Sequence, residues 1–160
     1  MNNYFIILAA GSSKRFAYKK PKQYFVYKNK VIYEHSLEKA LNSKLFKKIV
    51  LVVDNINKIK KKYNKNILII KGGKKRFEST LIALKKIKKF KPQNVLIHDA
   101  ARPNFSERLL KKILKNLKTN RVVVPTLRSK DSIKYKHKKQ IFNLNKNNSF
   151  LTQTPQAFRF

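Results

Sequence analysis

The sequence predicts a three-layer α/β fold around a mostly parallel sheet. Short apolar runs rich in β-branched residues recur along the 160 residues, at 5–8, 49–53, 67–70, 95–97 and 122–124. Several are continuous rather than alternating, as expected of strands buried on both faces. Segments with helical spacing lie between them, so strand and helix alternate.

Each element has its own signal. The first strand is the run Tyr4-Phe5-Ile6-Ile7-Leu8. It feeds directly into the small residues Ala9, Ala10 and Gly11. Residues 31–41 have helical spacing and lead to the strand 49–53. After the strand 67–70 come paired glycines and a helix over 80–89, with Leu81, Leu84 and Ile87 expected on its buried side. The strand 95–97 ends in His98-Asp99. Over 106–117, Leu109, Leu110, Ile113, Leu114 and Leu117 form a stripe, with Ser106 as N-cap and Glu107 suited to the positive helix start. The capping box there is incomplete, because Leu109 stands where Glu or Gln would be. Residues 127–144 lack a helical stripe and carry a run of Lys and His, which suggests an extended β arm. Thr152-Gln153-Thr154-Pro155-Gln156-Ala157-Phe158, taken alone, reads as a turn.

Length and composition bound the function. A chain of 160 residues suggests one domain with a real core. No apolar run is long enough to span a membrane, and the N-terminus reads as a core strand rather than a signal peptide. The absence of cysteine excludes disulfides and thiol catalysis, and with only three histidines a structural zinc site is not expected. A cytoplasmic location fits. The formal charge of +33 points by itself towards polyanions. The basic residues are mostly Lys, are spread along the whole chain and travel with abundant Asn and Ile. That is compositional drift rather than a nucleic-acid face.

In open α/β sheets ligands bind outside the carboxyl ends of the strands. Three unusual loops fall there, at 9–22, 72–79 and 98–103. In the first, small residues let backbone N–H groups approach phosphate oxygens, and Arg15 and Lys22 supply cations. It is neither a P-loop nor a dinucleotide fingerprint; the alternative is an ordinary basic loop. In the second, Gly72 and Gly73 permit close approach of a flat base or sugar, and Ser79 could bond a base edge; the alternative is a turn and a helix cap. In the third, Asp99 ends a strand in a chain with only seven carboxylates. It could ligate Mg²⁺ beside bound phosphates, with Arg102 facing it or an anion. The alternative is a capped turn. His98 reads as a packing or hydrogen-bonding residue rather than a base.

Together these segments resemble the 2-C-methyl-D-erythritol 4-phosphate cytidylyltransferase family of the non-mevalonate isoprenoid pathway. The motifs appear in order as LAAGSSKRF, PKQY, GGKKRFEST, IHDAARP, RSKDSIK and TQTPQAF. Sugar- and alditol-phosphate cytidylyltransferases share much of this pattern, so a ribitol-phosphate enzyme is the nearest alternative. The resemblance implies a Rossmann-like nucleotidyltransferase fold with a projecting arm at about 127–150, and a homodimer. It implies transfer of cytidylyl from CTP to methylerythritol phosphate, with Mg²⁺ or another divalent cation. Arg15 and Lys22 would stabilise the transition state. Ala9, Ala10 and Gly11 would follow the triphosphate, Gly73 and Ser79 the cytosine, and Asp99 the ribose, metal and phosphate. Arg102, Ser132, Lys146 and Thr154 fall on substrate-side positions, with Ser132 and Lys146 reaching a neighbouring subunit.

Four positions depart from the family. Ser13 stands where a second glycine is frequent, and a positive φ there would be strained. Lys74 replaces an acidic residue. Lys146 replaces an arginine and loses bidentate geometry. Ser132 replaces a threonine. Family members continue past the TPQ-F segment, so the domain 1–160 reads as incomplete at its C-terminal end. Two other readings compete: a basic nucleic-acid-binding domain, and a remnant that binds nucleotide without turning it over.

Overall fold

The computed structural model describes residues 2–12, 21–59, 63 and 65–160. Its centre is a six-stranded sheet of order β5-β4-β1-β6-β12-β7. In chain order these strands are β1 (Asn3–Ala9), β4 (Lys48–Val53), β5 (Ile67–Lys71), β6 (Asn94–Asp99), β7 (Val122–Val123) and β12 (Gln156–Arg159). β5, β4, β1 and β6 are parallel to one another, and β12 runs antiparallel between β6 and β7. The strands expected at 5–8, 49–53, 67–70, 95–97 and 122–124 are all present, with slightly different ends.

Among the described residues three α-helices cover the sheet: α1 (Ile32–Asn42), α2 (Arg76–Lys88) and α3 (Glu107–Asn116). Two cores result, as continuous apolar strands require. On one face Phe5, Ile7, Leu51 and Leu96 pack with Leu37 of α1 and Leu110 and Ile113 of α3. On the other Tyr4, Ile6, Val50 and Val52 pack with Ala83 and Ile87 of α2. The α3 stripe holds: Leu110, Ile113, Leu114 and Leu117 are buried, and Leu109 packs at the margin. Ser106 caps that helix by accepting from the Leu109 N–H at 3.1 Å.

Two expectations need correction. α2 starts four residues earlier than the apolar spacing indicated, because its first turn is polar and is held by Glu78, which accepts from the Lys74 and Lys75 N–H groups. The face that α2 buries against the sheet carries Ser79, Ala83 and Ile87, and Leu81 is left 48% exposed. The second correction concerns the segment 152–158. It is not only a turn: a cis Thr154–Pro155 bond is followed by β12, whose Ala157 is fully buried.

The arm is a β ribbon. β8 (Thr126–Arg128) pairs with β11 (Phe150–Thr152), and β9 (Ile133–His137) pairs with β10 (Gln140–Leu144), all antiparallel. A two-residue ladder of β2 (Val26–Tyr27) and β3 (Lys30–Val31) precedes α1. No helix among the described residues is long and apolar enough to cross a membrane.

Candidate active site

Parallel register brings the strand ends level. Leu8 pairs with Asp99, Ala9 with Val53, and Val53 with Lys71. The three loops that follow β1, β5 and β6 therefore meet at one rim. They enclose a cleft of about 530 Å³, lined by Ala10, Gly11, Lys22, Gly73, Ser79, Asp99 and Arg102 among others. Lys74, Lys75 and Arg76 also line it, so its described walls carry five cationic side chains against the single carboxylate of Asp99.

The first loop begins at the buried Ala9, which closes β1. Space is open beside Gly11, where a Cβ would meet nothing within 4 Å. Lys22 opens a 3-10 turn, Lys22–Tyr24, and lies on the cleft. The rest of that turn faces inward. The Gln23 side-chain amide donates to the carbonyls of Ala9 at 2.8 Å and Gly11 at 2.6 Å. The Tyr24 hydroxyl donates to Asp54, at the end of β4. Lys58 contacts the same carboxylate at 2.5 Å. Burial alone would raise the Asp54 carboxyl, but the hydrogen bonds from Lys58 and Tyr24 outweigh it and hold it below its ordinary value. Burial and the Asp54 bond push the Tyr24 phenol upward. Arg15 and Ser13 lie outside the described residues.

In the second loop the two glycines do different work. A Cβ on Gly72 would stand 2.7 Å from the Ala10 Cβ and 2.7 Å from Ser79 Oγ, so here the first and second loops touch through bare backbone. Gly73 lines the cleft, and its N–H donates to Ser79 Oγ at 3.1 Å. Ser79 is buried in the first turn of α2, with its hydroxyl bracing that glycine.

Asp99 sits between two arginines. Arg76 Nε donates to Oδ1 at 3.1 Å, and Arg102 Nε lies 3.5 Å from Oδ2. Arg102 also donates from Nη1 to Gln153 Oε1 at 2.5 Å. Behind this turn His98 is fully buried, and Thr154 is half-buried. The His98 Nε2–H donates to the Arg102 carbonyl at 3.0 Å, while Nδ1 accepts from the Thr154 hydroxyl at 2.9 Å. Thr154 Oγ1 in turn accepts from the Asp99 N–H at 3.4 Å. Burial pushes the imidazole down to about 4, so it is neutral at pH 7.

Of the residues singled out in the sequence, Ala10, Gly11, Lys22, Gly73, Ser79, Asp99 and Arg102 come together at the cleft. Ala9 lies under it. The Thr154 hydroxyl is engaged with the turn that carries Asp99. Ser132 and Lys146 are exposed on the arm, outside the lining of this chain's cleft. Sequence reasoning missed Arg76 and Gln23. Arg76 was hidden in a basic run; an arginine opening a helix near the strand-end Asp99 was the available signal. Gln23 was passed over for its charged neighbour.

A metal would find one carboxylate here. Among the described residues no group of three or more His, Cys, Asp or Glu comes together. That donor set fits Mg²⁺ only in its usual form beside nucleotides, with one carboxylate and the remaining positions taken by phosphate oxygens and water.

Open α/β sheet, level strand ends and a cationic cleft with one acid make a site whose shape and charge suit a nucleotide-like polyanion. The chain belongs to the 2-C-methyl-D-erythritol 4-phosphate cytidylyltransferase (IspD) family, whose model matches residues 4–160. It is 51% identical over 162 residues to the bifunctional enzyme IspD/IspF of Pelagibacter ubique, covering 100% of this chain and 44% of that protein. It is 32% identical to the 2-C-methyl-D-erythritol 4-phosphate cytidylyltransferase of Thermotoga neapolitana, covering 99% of this chain and 73% of that one. The crystal structure of 4-diphosphocytidyl-2C-methyl-D-erythritol synthase from Anaerococcus prevotii superposes with a TM-score of 0.82 at 31% identity, covering 99% of this chain and 71% of that one. The chain thus spans less than half of the bifunctional relative and about seven tenths of the other two.

Proposed function

We propose that this chain transfers the cytidylyl group of CTP to 2-C-methyl-D-erythritol 4-phosphate. The observation that carries this reading is the meeting of three loops, all from the family motifs, around one cationic cleft. A phosphate oxygen of the alditol attacks the α-phosphorus of CTP. The new P–O bond forms as the bond from that phosphorus to the bridging oxygen breaks, and pyrophosphate leaves with the electron pair. No protein nucleophile is required, so the work left to the chain is positioning and charge stabilisation.

The residues divide that work. Backbone amides at Ala9, Ala10 and Gly11 follow the triphosphate. Lys22, with Arg15, meets charge developing on the transferred phosphoryl group. Gly73 and Ser79 shape the wall against the cytosine. Arg102 holds the alditol phosphate, and Thr154 steadies the turn beside it. Mg²⁺ held by Asp99 would draw charge from the triphosphate and favour departure of pyrophosphate. Arg76 neutralises Asp99 in the free protein.

The chain forms a single nucleotidyltransferase domain with an arm, and the arm joins two copies. Supporting this, Tyr135 pairs with Phe142 across the β9–β10 ladder, and both are exposed, at 51% and 46%. Ser132 and Lys146 on that arm would then reach the partner's substrate phosphate. A cysteine-free chain and a nucleotide substrate suit the cytoplasm.

The test is pyrophosphate release from CTP, compared between methylerythritol phosphate and ribitol phosphate. Release should depend on the first, and Lys22→Ala should lower kcat by about 10²–10³, the scale for one charge-stabilising donor. Faster release with ribitol phosphate would move the substrate assignment; no release with either would overturn the reading.

A further inference from the structure

We infer that Gln23 is a positioning residue that presets the phosphate-binding amides of the first loop. The inference rests on the reading that this loop holds the triphosphate. Gln23 is 4% exposed, and its side chain bridges the carbonyls of Ala9 and Gly11 at 2.8 and 2.6 Å. Two carbonyl acceptors can be served only by the NH₂ end of the amide, so chemistry fixes its orientation. In a trans peptide the C=O and the following N–H point in opposite directions. With the carbonyls of Ala9 and Gly11 turned onto Gln23, the N–H groups of Ala10 and Ser12 are turned away from it. Those peptides flank Ala10 and Gly11, which line the cleft.

The consequence is preorganisation. A loop whose amides are already aimed loses little freedom when an anion arrives, and donors fixed in advance stabilise charge best. The same 3-10 turn carries Lys22, and Tyr24 ties its other side to Asp54. One bridge therefore sets both the amides and the neighbouring cation. Glutamate at 23 would turn a proton-free oxygen pair onto two carbonyls. Methionine would leave both carbonyls without their partner.

The experiment is equilibrium titration of wild type, Gln23→Met and Gln23→Glu with CTP, inorganic tripolyphosphate and cytidine. Both variants should lose roughly 10- to 100-fold in affinity for CTP and tripolyphosphate, the scale of two lost buried hydrogen bonds, with cytidine binding unchanged. Unchanged tripolyphosphate binding in either variant overturns the inference. An equal loss for cytidine also overturns it, since that marks a general structural role. Should both variants melt before titration, Gln23→Asn, which keeps the amide but shortens its reach, takes their place with the same expected loss. Wild type that binds tripolyphosphate but not CTP would sink the cytidylyltransferase reading and leave this inference standing. Wild type that binds neither sinks both.

Discussion

His98 occupies a place where a proton is costly. Its ring is fully buried against Phe105, at 4.6 Å between centroids, and Nδ1 is an acceptor for Thr154. Its folded-state pKa of about 4 lies below the ordinary 6.5. Between those values the unfolded chain binds a proton that the folded chain refuses. The stability from a neutral His98 is therefore complete above pH 6.5 and is lost as pH falls towards 4, by roughly 3 kcal/mol in all. Urea unfolding of wild type and His98→Gln at pH 7 and pH 4 should differ by about that amount in pH sensitivity; parallel losses would refute the assignment. Gly72 gives a second expectation at this scale. A methyl there meets Ala10, Ser79 and Val52, all under 3.0 Å. Gly72→Ala should cost about 1–3 kcal/mol in thermal or urea unfolding, as overpacking does. Because Ala10 is one of the atoms pushed, it should weaken CTP binding as well. That Asp99, Lys22 and Gly73 would lie at one rim was legible in the sequence, because each falls in a loop or strand end on the carboxyl side of the sheet. The roles of Gln23, Arg76 and Gly72 were not. Their meaning depends on partners 12 to 23 residues away or on a neighbouring loop, which no local pattern records.

At the scale of elements, the strands of the parallel core were readable because both faces are buried and the runs are continuous. β12 was not, since of its four residues only Ala157 is buried and its flanks are Gln156 and Arg159. Its place is set by pairing: it closes the gap between β6 and the short β7, which no periodicity announces. The start of α2 was misread for a related reason, because a polar first turn held by Glu78 carries no apolar spacing. The arm shows the opposite behaviour. Strand period 2 places Ile133 and Tyr135 of β9 opposite Leu144 and Phe142 of β10 on one face of the ribbon, with Lys134 and Lys136 on the other. Three of these four apolar residues are among the exposed large hydrophobics, so the face gains nothing within one chain. Tyr135→Ser with Phe142→Ser should leave monomer melting nearly unchanged. It should weaken self-association at least about tenfold by sedimentation, as loss of aromatic anchors does. Unaltered association would remove the arm from the interface.

For the whole molecule, charge is the dominant quantity. Forty basic side chains against seven acidic ones leave +33 on 160 residues, so most of them cannot be matched one-to-one by an acid. Ion pairs among the described residues, such as Lys30–Glu38 and Lys111–Glu107, are exposed and individually worth little. Two consequences of this field run in opposite directions with salt. Mutual repulsion among surface lysines opposes compaction, and screening relieves it as the Debye length shrinks from about 30 Å at 0.01 M to about 8 Å at 0.15 M. The melting temperature should therefore rise over that range. The same screening weakens attraction of a tetra-anionic nucleotide to the cationic cleft, so the apparent affinity for CTP should fall. A field concentrated at the cleft alone would change affinity and leave melting untouched. A field spread over the chain, as the Lys distribution implies, changes both. Melting curves and CTP titrations on one salt series separate the two, and a melting temperature that stays flat while CTP affinity drops would show the charge to be focused on the site after all.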